Sequence, residues 1–245
     1  MSSIEEIKKF AEKTLGEVPK VIDLLSNIDE KTAIEQFNEN VNLYLGRSVL
    51  PKKISSLIAM SVALANGPKE SAIIHFNLSK KFGADNIEIL DAIKATKMAI
   101  MSSLLDSLDI ITNNQLLAKK IQGSEESYEL IDELKKNVGT IPERIIKLAK
   151  LSPELAKEHL RERNELLINS SRLDKKYMFA IALAVSISLR DKECVKTYLD
   201  MFVKYGGNLD EIIDILSIAR FISGNRAFVN SIDILSKLAN IQGTQ

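Results

Sequence analysis

Three side chains in this sequence titrate or react near neutral pH: His75, His159 and the single cysteine, Cys194. An imidazole at His75 can take or give a proton at physiological pH, as a general acid or base in a pocket between helices. The competing reading is a partly buried histidine whose ring is satisfied by a neighbour. Cys194 falls in the first turn of a predicted helix, where a thiol can serve peroxide reduction or redox sensing. Asp191, one turn earlier, opposes thiolate formation, and a small buried apolar residue is the plainer role. One cysteine makes no disulfide within the chain and no thiolate zinc site. His159 lies in Glu158-His159-Leu160-Arg161-Glu162-Arg163, a charged stretch expected to be exposed. Without a His-x-x-x-His spacing or a glycine-rich phosphate loop, neither a metal nor any other cofactor is expected.

The elements that must position these groups read as helices throughout. Leu, Ile, Ala, Lys and Glu dominate, and no stretch alternates convincingly as a strand would. Ile4, Ile7, Phe10, Ala11 and Leu15 share one helical face, and Gly16 stands where a C-cap needs a left-handed residue. Further helices are expected over Pro19–Ser26, Lys31–Leu45, Pro51–Ala65, Pro68–Phe82 and Asn86–Thr112. Residues 113–123 read as a link.

Beyond that link the plan returns at a fixed spacing of 123 residues. Pro19 returns as Pro142, and Leu50-Pro51-Lys52-Lys53 as Leu173-Asp174-Lys175-Lys176. Lys69-Glu70 returns as Lys192-Glu193, and Lys81-Phe82-Gly83 as Lys204-Tyr205-Gly206. Glu88-Ile89-Leu90-Asp91 returns as Glu211-Ile212-Ile213-Asp214. Five matches in one register predict two copies of an all-α domain rather than a solenoid of short units. The expected division is residues 1–112, a linker at 113–123, and residues 124–245. Gly83 and Gly206 are expected as left-handed caps, and Pro19 and Pro142 in first turns.

Composition narrows the partners. Lys plus Arg and Asp plus Glu number 33 each, so no net charge draws the chain to nucleic acid or an anionic membrane. The N-terminus lacks the basic start and apolar core of a signal peptide, and runs such as Ile58–Ala65 are too short to span a bilayer. A cytoplasmic protein with no nucleic-acid or membrane partner is expected.

The run Leu50–Lys53, Leu57-Ile58-Ala59-Met60-Ser61-Val62-Ala63, Asn66-Gly67, His75, Lys81-Phe82-Gly83-Ala84 and Glu88–Ala92 resembles the carboxymuconolactone decarboxylase family, which includes the alkyl hydroperoxidase D-like (AhpD-like) proteins. The resemblance is strong from Leu50 to Ala92 and weaker over Lys175–Leu216. It implies an all-α fold and a homo-oligomer, a trimer by preference. In the redox branch of that family a helix opens with Cys-x-x-Cys and carries a His one turn later, with a Glu on the preceding helix. One thiolate attacks, the other resolves the disulfide, and His and Glu move protons.

Carried onto this sequence, the two cysteine positions are Pro68 and Ser71 in the first copy, the His position is His75 and the Glu position Ser56. In the second copy they are Asp191, Cys194, Tyr198 and Phe179. Neither copy keeps the cysteine pair or the acid, so a dithiol cycle through this motif is excluded unless a thiol comes from another molecule. Helix capping is the expected replacement: Asn66 or Gly67 before Pro68, and Asp191 before the second helix. Ser71 and Ser56 could bind a polar group of a small organic ligand, or His75 could activate Ser71. Three functions follow in descending order. The first is non-redox binding of a small molecule, or a structural oligomer. The second is decarboxylation or lactone processing of a small organic acid through His75, although no basic residue is obviously placed to hold a carboxylate. The third is a single-cysteine peroxidase through Cys194. The site candidates are thus His75, Ser71, Ser56, Cys194 and Tyr198, with chemistry expected in the first half and assembly in the second.

Overall fold

A computed structural model describes residues 3–138, 141–169 and 172–242. The described residues fold as helices and turns, with no strand among them. The first half runs α1 (Ile4–Leu15), α2 (Lys20–Ile28), α3 (Glu30–Asn40), a π-turn (Val41–Leu45), α4 (Lys52–Asn66), α5 (Lys69–Lys81) and α6 (Asn86–Ser103). A 3₁₀ turn (Leu104–Ser107) and a short α7 (Leu108–Thr112) follow, and then exposed turns to α8 (Glu125–Val138). The second half runs α9 (Glu143–Leu151), α10 (Pro153–Arg163), a π-turn (Asn164–Ile168), α11 (Lys175–Leu189), α12 (Lys192–Lys204), α13 (Leu209–Asn230) and α14 (Ile232–Gln242). Both ends of α2, α3, the π-turn, α4 and α5 recur 123 residues later, residue for residue.

The two central helices are α4 and α11. Every residue from Ile54 to Ala63 is buried, and so is every residue from Met178 to Ser186, as expected of helices apolar all round. They pack on each other, α6 lies against α11, and α13 lies against α4. The main hydrophobic core therefore draws on both halves, from Tyr44 through Ala99 and from Leu167 through Ile222. The sequence repeat marks two units of chain, not two separate cores.

Matched polar contacts knit the halves. Asp214, fully buried, accepts the backbone N–H of Val49 and of Leu50 at 3.1 Å each and pairs with Arg47. Its counterpart Asp91 accepts those of Arg172 and Leu173 at 2.9 and 3.2 Å and pairs with Lys94. Within each half, Lys53 binds Glu88 at 2.6 Å and Lys176 binds Glu211 at 2.7 Å. These four acids explain why Glu-x-x-Asp recurs: one end holds its own half and the other holds its neighbour.

Gly83 and Gly206 take left-handed φ of 86° and 88°, and Gly16 caps α1 at 89°. The repeat partner of Gly16, Gly139, lies outside the described residues. Pro19 and Pro142 stand one position before the first turn, with φ of −56° and −55°. Two expectations need correction. The helix foreseen over Asn86–Thr112 tightens at Leu104–Ser107, where Ser107 Oγ donates to Leu104 O; serine side chains compete in this way with regular helix. And α5 starts at Lys69, with Pro68 itself in the capping position and no side-chain cap; proline has no side-chain acceptor, and Asn66 instead donates through Nδ2 to Val62 O and Ser188 Oγ at 2.9 Å each.

Candidate functional site

The first half holds a cavity of about 70 Å³ beside α5. His75 and Ser71 reach it from α5, Gln36 from α3, Tyr44 from the π-turn, and Asn225 from α13 of the other half. The π-turn closes through Gly46 N–H to Val41 O at 2.7 Å. A Cβ at Gly46 would lie 2.6 Å from that oxygen, whereas the matching turn closes through Asn169 N–H to Asn164 O at 2.8 Å. Such one-residue widenings are rare, occur mostly as single turns and are frequent at functional sites. The first-half turn carries Tyr44, whose ring meets His75 edge to face at 5.3 Å between centroids.

His75 is 6% exposed and Tyr44 2%. Among the described residues, neither His75 Nδ1 nor Tyr44 Oη has a hydrogen-bond partner. Burial pushes the His75 imidazole down to about 4 and raises the Tyr44 phenol, so both are neutral at pH 7. Gln36 Nε2 donates to Asn225 Oδ1 at 2.8 Å, bridging the halves across one wall. Ser71 lines the cavity, and no hydrogen bond joins it to His75 among the described residues. Ser56 is not part of this wall. Its hydroxyl is buried and donates to Lys53 O at 2.8 Å, one turn back on its own helix.

The corresponding place in the second half is filled. Arg144, on α9, occupies the position that Val21 holds on α2. Its guanidinium makes a bidentate pair with Asp191 at 2.7 Å through both Nη atoms and donates to Ser102 O at 3.0 Å. The same Nη1 reaches Cys194 Sγ at 3.2 Å. Nε faces Glu193 at 2.8 Å as an ion pair, off the axis of a hydrogen bond. Asp191 also caps α12, as expected, accepting Cys194 N–H at 3.0 Å. Burial opposes its ionisation, but the Arg144 and Cys194 hydrogen bonds hold the carboxyl below its ordinary value.

Cys194 and Tyr198 are both buried in this cluster, and Tyr198 Oη donates to Ser102 Oγ at 3.0 Å. Burial pushes the Cys194 thiol up to about 12; Arg144 offsets this only in part, and Asp191 adds to it. The thiol is therefore held protonated at pH 7, and the thiolate is the nucleophile. His159 corrects an expectation: it is 8% exposed, not on a solvated face. Burial first, then the charges of Arg163 and Arg144, lower its imidazole to about 4. The charged run misled because its ionic residues sit on the outer face of α10, while His159 repeats the inward position of Gln36.

Tyr44, Gln36, Asn225 and Arg144 were not foreseen. An arginine at an apolar position of the repeat was a usable signal for the last. No local pattern could have placed Asn225 beside Gln36. Among the described residues no group of three His, Cys, Asp or Glu is arranged to hold a metal ion. Nor is any helix long and apolar enough to cross a membrane.

No curated protein matches the chain. In solved structures, the fold is similar to that of a candidate gamma-carboxymuconolactone decarboxylase subunit from Burkholderia xenovorans, with a TM-score of 0.83. The two are 15% identical, over 100% of this chain and 99% of the other, a likeness of fold alone. Residues 153–237 match the sequence model of the Carboxymuconolactone decarboxylase family. That match lies in the second half, where the resemblance had been the weaker. The chain therefore has the all-α fold of that solved protein and, from α10 into α14, the sequence pattern of the carboxymuconolactone decarboxylase family.

Proposed function

We propose that the chain is a duplicated, AhpD-like member of the carboxymuconolactone decarboxylase family that has lost dithiol chemistry and binds a small molecule in its first half. The observation that carries this reading is the first-half cavity, with two buried polar atoms, His75 Nδ1 and Tyr44 Oη, left unbonded. An unmade buried hydrogen bond costs about 1–3 kcal/mol, and a ligand's polar group can recover it. Helix ends repeating at 123 residues support the duplication. Pro68 with Ser71 and Asp191 with Cys194 support the loss of redox chemistry. Homo-oligomer formation, as a trimer, is part of the proposal; exposed Leu90 and Ile93 on α6 recur as Ile213 and Leu216 on α13, giving matched apolar faces.

The alternatives draw less support. A histidine at about 4 is a weak base at pH 7, where an effective one titrates near the working pH. The Cys194 thiol is protonated and covered. The test is ligand-observed NMR of the full chain against a library of small organic molecules, with peroxide reduction and turnover of a muconolactone-like acid measured in parallel. Binding without turnover is expected. Peroxide reduction lost in Cys194→Ser, or acid turnover lost in His75→Ala, would overturn the reading.

A further inference from the structure

We infer that the occupant of the first-half cavity is an uncharged, compact molecule, largely apolar, with one hydroxyl or carboxamide end. This rests on reading that cavity as a ligand site, and goes on to the ligand's chemistry. The wall contains no Lys, Arg, Asp or Glu. Its apolar part includes Val21, Ile22, Leu78 and Phe221, and its polar part is Gln36, Asn40, Tyr44, Ser71, His75 and Asn225. Those six offer hydroxyl, imidazole and amide groups, which match a neutral donor–acceptor group and carry no charge to balance an ion.

A cation beside the neighbouring cavity does not change this. A smaller cavity of about 40 Å³ shares Leu15, Pro19, Ile74 and Leu78 with the first and is also lined by Lys81 and Glu17. The Lys81 ammonium already donates to Lys13 O at 2.8 Å and Thr14 O at 2.7 Å, closing the end of α1. An anion in the inner cavity would lose its hydration with no counter-charge. A neutral end group has better partners. Gln36 Nε2 and Asn225 Oδ1 bind each other, while Gln36 Oε1 and Asn225 Nδ2 have no hydrogen bond among the described residues. With Tyr44 Oη and His75 Nδ1 they supply acceptor and donor atoms around one space. At about 70 Å³ the inner space is roughly half of a 150 Å³ cavity known to hold benzene, so only the end of a ligand, or a molecule of a few heavy atoms, fits.

The experiment compares isobutyramide, isobutanol and isobutyrate, of nearly equal size, by ligand-observed NMR on the full chain at pH 7 and up to tens of millimolar. The amide and the alcohol are expected to bind, and isobutyrate to bind about a hundredfold more weakly or not at all. Tyr44→Phe, which removes one hydroxyl and keeps the ring, is expected to weaken the amide about tenfold. Isobutyrate binding as tightly as the amide would overturn the inference while leaving the cavity a ligand site. Binding by none of the three would overturn both. An amide affinity unchanged in Tyr44→Phe would also overturn the inference, since the polar end group would then not be read by this wall.

Discussion

The two halves place the same helices at the same spacing and then treat one location in opposite ways. In the first half, Val21, Gln36, Ser71 and His75 enclose a small cavity with unbonded polar atoms. In the second, Arg144, His159, Cys194 and Tyr198 stand at the matching positions, and Arg144 fills the space with an ion pair to Asp191. The scaffold does not decide which occurs. The reach of one side chain does: valine stops short, whereas arginine crosses to the cap of α12. Each location also borrows from the other half, Asn225 in one case and Ser102 in the other. The second half is therefore not only a partner in assembly, since Phe221, Asn225 and Val229 help to line the first-half cavity.

The largest effect should come from breaking the filled location. Asp191→Ala leaves the 5%-exposed Arg144 with Glu193 as its one charged partner among the described residues and should lower unfolding free energy by about 3–5 kcal/mol, read in urea. Ser71→Ala, in the first-half cavity, should cost under about 1 kcal/mol. Equal losses would break the comparison.

The links between halves should behave alike. Asp91→Ala and Asp214→Ala each remove two backbone hydrogen bonds and an ionic partner, and each should cost on the order of 2–4 kcal/mol in the same assay. A large loss in only one would show that the matched geometry is not matched energy.

Acid should then act on both halves through their histidines. His75 and His159 are lowered to about 4 in the fold, from 6.5. Between those values the unfolded chain binds more protons than the folded one. The stability that neutral histidines contribute is thus complete above pH 6.5 and is lost as pH falls to 4. The loss should be on the order of 2–3 kcal/mol per histidine in urea melts across that window. His75→Gln should flatten the slope by about half. Arg144→Met should raise the His159 pKa and leave that of His75 unmoved, which NMR titration can separate.

The smallest effect is on Cys194. Its alkylation at pH 7 should be at least about a hundredfold slower in the folded chain than in urea, with Cys194→Ser changing stability by only about 1 kcal/mol. Rapid labelling of the folded chain would make the second half the reactive one.

Much of this was legible in the residues. The helices followed from their apolar period, and the caps at Gly83 and Gly206 from glycine's access to positive φ. The 123-residue register was legible too, and the helix ends keep it. His159 was misjudged because a charged neighbourhood in sequence is only one side of a helix in space. Ser56 was proposed from its position, yet its hydroxyl turns to its own backbone.

By itself, then, the sequence determined which stretches become helices, where they stop and which reactive groups exist at all, because these depend on residues within a turn or two of one another. Whether a cavity remains was decided only in the tertiary structure. Gln36 meets Asn225, and Arg144 meets Asp191, across helices brought together by a shared core. Those distances depend on how α4 and α11 pack and on how far each side chain reaches, and no local period encodes either.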